Sequence, residues 1–123
     1  MTTYMHYATR LEAASSLRSR KVSAVELTRA LLDRIAKIDP SLHSYATVTP
    51  ELALEQAEAS DAEIGAGDYR GPLHGVPIAV KDICNTVGVV TAAGMTIHAD
   101  NVPDHDSTVV KRLRDAGAVL LGK

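Results

Sequence analysis

Apolar residues recur at helical spacing through the first half of the chain and gather into short runs in the second. Ala24, Leu27, Leu31, Ile35 and Ile38 follow one another at steps of three and four, which places them on one face of an amphipathic helix. Arg29, Asp33 and Lys37 alternate in sign on the opposite face. Ser23-Ala24-Val25-Glu26 is a capping box that starts this helix. Asp39-Pro40 is expected to end it, because the residue before a proline avoids the helical region. Thr9 and Glu12 form an earlier capping box, for a helix running to about Arg18. Residues 41–48 read as a loop or short extended piece. Thr49 is then expected to cap a third helix, with Pro50 at its first position and Glu51 favourable to the dipole. Gly65-Ala66-Gly67 stops that helix. The pattern predicts a helical region over 1–66 that covers something else, and no residue in it asks for a chemical role.

After Gly67 the composition shifts towards Gly, Pro and Val. Residues 76–80 predict a buried strand, being short, apolar, rich in β-branched residues and bounded by turn signals. Pro77 must then sit at its start, where a missing N–H costs little. The connection over 82–106 is longer than a structureless link usually is, and such loops tend to be functional or to hide short elements. Ser107 or Asp106 is expected to cap a helix with Val109, Val110, Leu113 and Ala116 on one face and Gly117 at its end. Residues 118–121 form a second apolar strand. Strand, crossover, helix and strand make a βαβ unit, so parallel strands and a right-handed crossover are expected. Two such strands do not fill a sheet that is covered on both faces, so the sequence reads as the front of something larger.

With 123 residues, 46% of them hydrophobic, the chain is long enough for one modest domain and is not a disordered segment. Its net charge of −2 comes from interspersed acids and bases, with no basic stripe to attract nucleic acid. Four tyrosines stand without Phe or Trp, so the core must be built from Val, Leu, Ile and Ala. A single cysteine, Cys84, rules out an internal disulfide and permits a reducing compartment. The first six residues lack a signal pattern, and no run approaches the ~20 apolar residues of a membrane span. A cytoplasmic protein without a membrane partner is expected.

Candidate chemistry centres on Lys81, at the end of the first predicted strand. Its stem can lie along the core with the ammonium in water. Alternatively, burial can disfavour the charged form and leave an amine able to take a proton near neutrality. Local spacing leaves both readings open. His6, His43, His74, His98 and His105 match no metal-ligand spacing. Cys84 could serve as a nucleophile, but no partner is indicated, and a small buried hydrophobe is the simpler reading. Gly122-Lys123 resembles the end of a phosphate loop without its spacing. Gly65-x-Gly67 is a helix stop, not a dinucleotide fingerprint.

Four stretches occur in order: Gly71-Pro72-Leu73-His74-Gly75-Val76-Pro77-Ile78-Ala79-Val80-Lys81-Asp82; Thr91-Ala92-Ala93-Gly94; Asp106-Ser107-Thr108-Val109-Val110; and Ala116-Gly117-Ala118-Val119-Leu120-Leu121-Gly122-Lys123. Together they resemble the opening of the amidase signature family. The earlier Val22-Ser23-Ala24-Val25-Glu26-Leu27-Thr28, Asp39-Pro40 and Leu42-His43-Ser44-Tyr45 are similar to its N-terminal helical region. The resemblance implies an α/β chain: the N-terminal part of an α/β/α fold, a helical layer (1–66) followed by the first core strands and a βαβ unit (67–123). It implies hydrolysis of a small-molecule carboxamide through a serine acyl-enzyme, with no cofactor and no metal. Lys81 matches the family's base, whose neutral amine takes a proton from a bridging serine in a cis peptide, which in turn activates the nucleophilic serine. Residues 91–94 match a loop near the site and are carried over as a pocket wall.

Residues 1–123 contain no Gly/Ser-rich run of the kind that carries both serines and the oxyanion donors in that family. By itself the chain is therefore expected to be inert, with Lys81 solvated and charged. The A subunit of a glutamine-dependent tRNA amidotransferase shares these motifs and is the first alternative. A non-catalytic remnant or truncated product, exposing apolar surface, is the second. Homo-oligomerisation is left open.

Overall fold

The computed structural model describes residues 2–123, with side chains from Met5 onward; Met1 of the predicted helical region lies outside the described residues. A 3-10 turn at Thr2–Tyr7 leads into helices α1 (Arg10–Arg18), α2 (Ala24–Leu42) and α3 (Pro50–Ala66). Strand β1 (Pro77–Ala79), helix α4 (Thr108–Asp115) and strand β2 (Val119–Gly122) follow. The chain is α/β, as its pattern predicts.

Both capping boxes form. Thr9 and Ser23 each accept the backbone N–H three residues on, and Glu12 and Glu26 each accept the N–H of the capping residue. The start of α2 gains a further cap from outside its own sequence. The Asp61 carboxylate on α3 accepts the N–H groups of Ala24 (2.7 Å) and Val25 (3.0 Å). A carboxylate at a helix N-terminus satisfies orphan donors and opposes the dipole.

Two helix boundaries differ from expectation. Helix α2 runs through Pro40 to Leu42. Pro40 lies in the last turn and withholds one helical N–H, and the helix ends two residues later. Asp39 still accepts the His43 N–H at 2.7 Å, and its carboxylate accepts the Ser44 N–H at 2.7 Å. Thr49 precedes α3 but makes no side-chain cap; its hydroxyl donates to the Leu120 carbonyl at 2.9 Å. The α4 cap differs as well. Ser107 holds the capping position without a side-chain bond, while Asp106 accepts the Val87 N–H and pairs with Arg114. On α4, Val110 is buried but Val109 is exposed.

The core joins α1, α2 and α3 to β2 through Ala13, Ala14, Leu17, Ala24, Leu27, Ala53, Ala57, Val119 and Leu121. Ala53, Ala57 and Ser60 supply the buried stripe of α3, and residues this small let α2 and the strands approach closely. Strands β1 and β2 are parallel, with Pro77 opposite Val119 and Ile78 opposite Leu120. All of β2 is buried. β1 is shorter than the predicted 76–80 and only half covered, because among the described residues it has β2 on one edge alone. Residues 46–49 line the other edge of β2. Lys123 and Thr47 exchange backbone bonds, and the Thr49 N–H reaches the Leu121 carbonyl at 2.9 Å. The connection 82–106 hides a 3-10 turn at Thr96–His98 and an isolated bridge between Thr86 and Val89.

His74 has a structural task. It is fully buried, its Nδ1 accepts the Arg70 N–H at 3.0 Å, and its Nε2 faces Glu63 at 3.0 Å. Burial lowers its proton affinity, against an opposing pull from Glu63. The depressed folded-state value means the unfolded chain binds the proton more readily. Stability should therefore be complete above the ordinary histidine range, near pH 6.5, and decline as pH falls below it. Denaturant melts of the parent should show that slope, and those of His74→Gln should not; equal slopes contradict the assignment. Gly117, at φ +79, presses on the same ring, and a Cβ there would meet His74 Cδ2 at 2.5 Å. Gly117→Ala should cost about 2–4 kcal/mol in the same melts, from left-handed strain plus the clash. A loss within experimental error contradicts that reading of the site.

Candidate active site

The carboxyl ends of β1 and β2 lie side by side because the strands are parallel, and each runs into a lysine. In open α/β sheets, that edge is where ligands bind. The Val80 N–H donates to the Gly122 carbonyl at 3.2 Å, which ties the two strand ends together immediately before Lys81 and Lys123. An open cleft of about 500 Å³ lies over this edge; Tyr45, Ala79, Val80, Lys81, Asp82 and Lys123 line it. Burial raises the proton affinity of Tyr45, and Asp39 adds to the effect.

The two lysines stand in different surroundings. Lys81 is exposed and opens into the cleft. The Lys123 side chain is 0% exposed. Its ammonium donates to the Cys84 carbonyl at 2.7 Å and to the Thr91 hydroxyl, and it faces Asp82 Oδ1 at 3.8 Å. Burial pushes the proton affinity of Lys123 below that of an ordinary lysine, while Asp82 and Cys84 pull it back up. Desolvation, one of the two readings open for Lys81 from sequence, is thus visible at Lys123.

Asp82 organises the loop that follows. Its carbonyl accepts the Ala93 N–H at 2.9 Å and its Oδ2 accepts the Ala92 N–H at 3.2 Å. The Lys81 carbonyl accepts the Cys84 N–H at 2.9 Å, closing a turn. Residues 91–94 therefore reach the site through Asp82 rather than by lining the cleft. Cys84 is half-buried, and its contribution to Lys123 is its backbone carbonyl. Sequence reasoning singled out Lys81, weighed Lys123 only as the end of a phosphate loop, and carried Thr91 over only as part of the 91–94 pocket wall. The available signal was the parallel one: each apolar strand ends in a lysine, so a parallel pairing must bring both to one edge.

Known proteins share the sequence and the fold of this chain. An amidase family profile matches residues 26–123. A putative amidase, AmiD, of Mycobacterium tuberculosis is 54% identical over 112 residues, covering 91% of this chain and 24% of that protein. The A subunit of the glutamyl-tRNA(Gln) amidotransferase of Acidothermus cellulolyticus is 48% identical over 115 residues, covering 94% of this chain and 23% of that one. The structure of the native peptide amidase of Stenotrophomonas maltophilia superimposes with a TM-score of 0.91 at 36% identity, over 100% of this chain and 25% of that one. The chain belongs to the amidase signature family. It spans about a quarter of the length of the curated relatives it matches.

The Lys123 environment can be tested directly. The 13Cε resonance of Lys123, assigned by its loss in Lys123→Met, should titrate below the model-peptide lysine value of about 10.4. Titration at or above that value contradicts the desolvated environment.

Proposed function

We propose that this chain is the N-terminal part of a hydrolase of carboxamide C–N bonds, working through a Ser–cis-Ser–Lys triad to which it contributes Lys81. The observation that carries the reading is the placement of Lys81, inside an amidase-family segment, on the cleft at the carboxyl edge of a parallel strand pair. An amine there can take a proton from a hydroxyl brought over the cleft, provided the rest of the enzyme covers it and removes water. The serines and oxyanion donors are assigned to parts of the protein outside residues 1–123, which hold no Gly/Ser-rich run. The reaction needs no cofactor in this scheme. The substrate is a small amide, and the protein works in the cytoplasm.

The likeness to the A subunits of amidotransferases supports a second reading, in which the same lysine serves glutamine hydrolysis within a larger assembly. The two readings differ downstream of the cleft and share the role of Lys81.

In the complete gene product, Lys81→Ala should lower benzamide hydrolysis and serine labelling by a fluorophosphonate at least about a thousandfold, the scale on which loss of one triad member acts. Its melting transition should stay close to that of the parent, since among the described residues the Lys81 side chain makes no hydrogen bond or ion pair whose loss would loosen the fold. Turnover close to the parental rate contradicts the role. The 123-residue polypeptide assayed alone should hydrolyse no amide above the buffer rate; measurable hydrolysis would overturn the assignment of the serines elsewhere.

A further inference from the structure

We propose that Lys123 is a positioning residue for Lys81: its buried ammonium clamps both sides of the turn that carries Lys81, through the Cys84 carbonyl, the Thr91 hydroxyl and the Asp82 carboxylate. The inference rests on the reading of Lys81 as the base. Two hydrogen bonds and one ion pair surround the ammonium. Cys84 closes the Lys81 turn, and its carbonyl takes one N–H at 2.7 Å. The Thr91 hydroxyl takes another, while itself donating to the Val89 carbonyl at 3.1 Å. The third side faces Asp82 Oδ1 at 3.8 Å, a buried oxygen with no hydrogen bond of its own. A buried carboxylate oxygen left without a partner is costly, so this ion pair joins the Ala92 N–H on Oδ2 in keeping Asp82 turned inward.

The clamp also holds a strained loop. Ala93 sits at φ +52, a conformation that a residue with a Cβ adopts only when its surroundings impose it. Its N–H is held by the Asp82 carbonyl and that of Ala92 by the Asp82 carboxylate. Lys123 holds Asp82 on one side and Thr91 on the other, so it closes the ring of contacts that imposes the strain. Removing the ammonium should release Asp82, let Ala93 relax and free the backbone on which Lys81 stands. A base displaced by about 1 Å loses rate without losing binding.

The test uses the complete gene product and two readouts. The first is amide hydrogen exchange at Ala92 and Ala93. The second is fluorophosphonate labelling, resolved into a maximal rate and a half-saturating concentration. In Lys123→Met both amides should exchange about tenfold faster, and the maximal labelling rate should fall about ten- to a hundredfold, with the half-saturating concentration within about twofold of the parent. Thr91→Val keeps the volume, removes one acceptor, and serves if Lys123→Met does not fold. It should shift both readouts the same way by about threefold or more, the scale of the net contribution of one typical hydrogen bond. Faster exchange with an unchanged labelling rate would make Lys123 a structural clamp only and overturn the proposal, as would unchanged exchange. Lys81→Ala separates the layers. If that variant labels like the parent, the assignment of the base fails and this inference with it. If it is dead while the Lys123 and Thr91 variants behave like the parent, this inference alone fails.

Discussion

The structure depends on one strand, β2, being held from every side. β1 runs parallel along one edge, and residues 46–49 run along the other. The Gln56 side-chain carbonyl on α3 accepts the Leu120 N–H at 2.8 Å, and the Thr49 hydroxyl donates to the Leu120 carbonyl. Val119 and Leu121 meanwhile enter the helical core. The same geometry explains Gly122. A Cβ there would collide with the Thr47 carbonyl, so only glycine lets segment 46–49 close on the strand end.

The chemistry follows from this arrangement. Parallel pairing, with a register shift between Ile78 and Ala79, brings the two strand ends to the same edge, and each delivers a lysine there. One ammonium is buried among a carbonyl, a hydroxyl and a carboxylate; the other opens into a cleft. A single sheet edge thus carries two identical side chains under opposite physical conditions. Burial with partners suits the first to holding backbone, and an open position suits the second to meeting a reacting group.

What could be read in the sequence was local. Both capping boxes, the amphipathic face of α2, Pro50 at the first turn of α3 and the glycine at the end of α4 lie within a few residues of what they control. The α/β order of elements and the parallel pair followed from them. What could not be read was long-range. Thr49 looks like a cap until a carbonyl 71 residues away claims its hydroxyl. Asp61 lies on α3, yet it caps α2 across 37 and 36 residues of chain. Pro40 looks like a helix stop, yet α2 runs on to Leu42 and the Asp39 carboxylate accepts the N–H groups of Ser44 and Tyr45 beyond it. At the candidate site Lys81 was marked by its motif. Lys123, Asp82 and Thr91 form a group only after the 82–106 connection folds back, and no spacing records that.

The account turns on where the Lys81 amine points once the enzyme is complete. A crystal structure of the full gene product carrying a phosphonate adduct on its serine would measure this directly. The account predicts Lys81 Nζ at about 2.6–3.2 Å from a serine hydroxyl, with Lys123 still seated on Cys84 and Thr91. A Lys81 amine directed into bulk solvent, with no serine hydroxyl in reach, would contradict it.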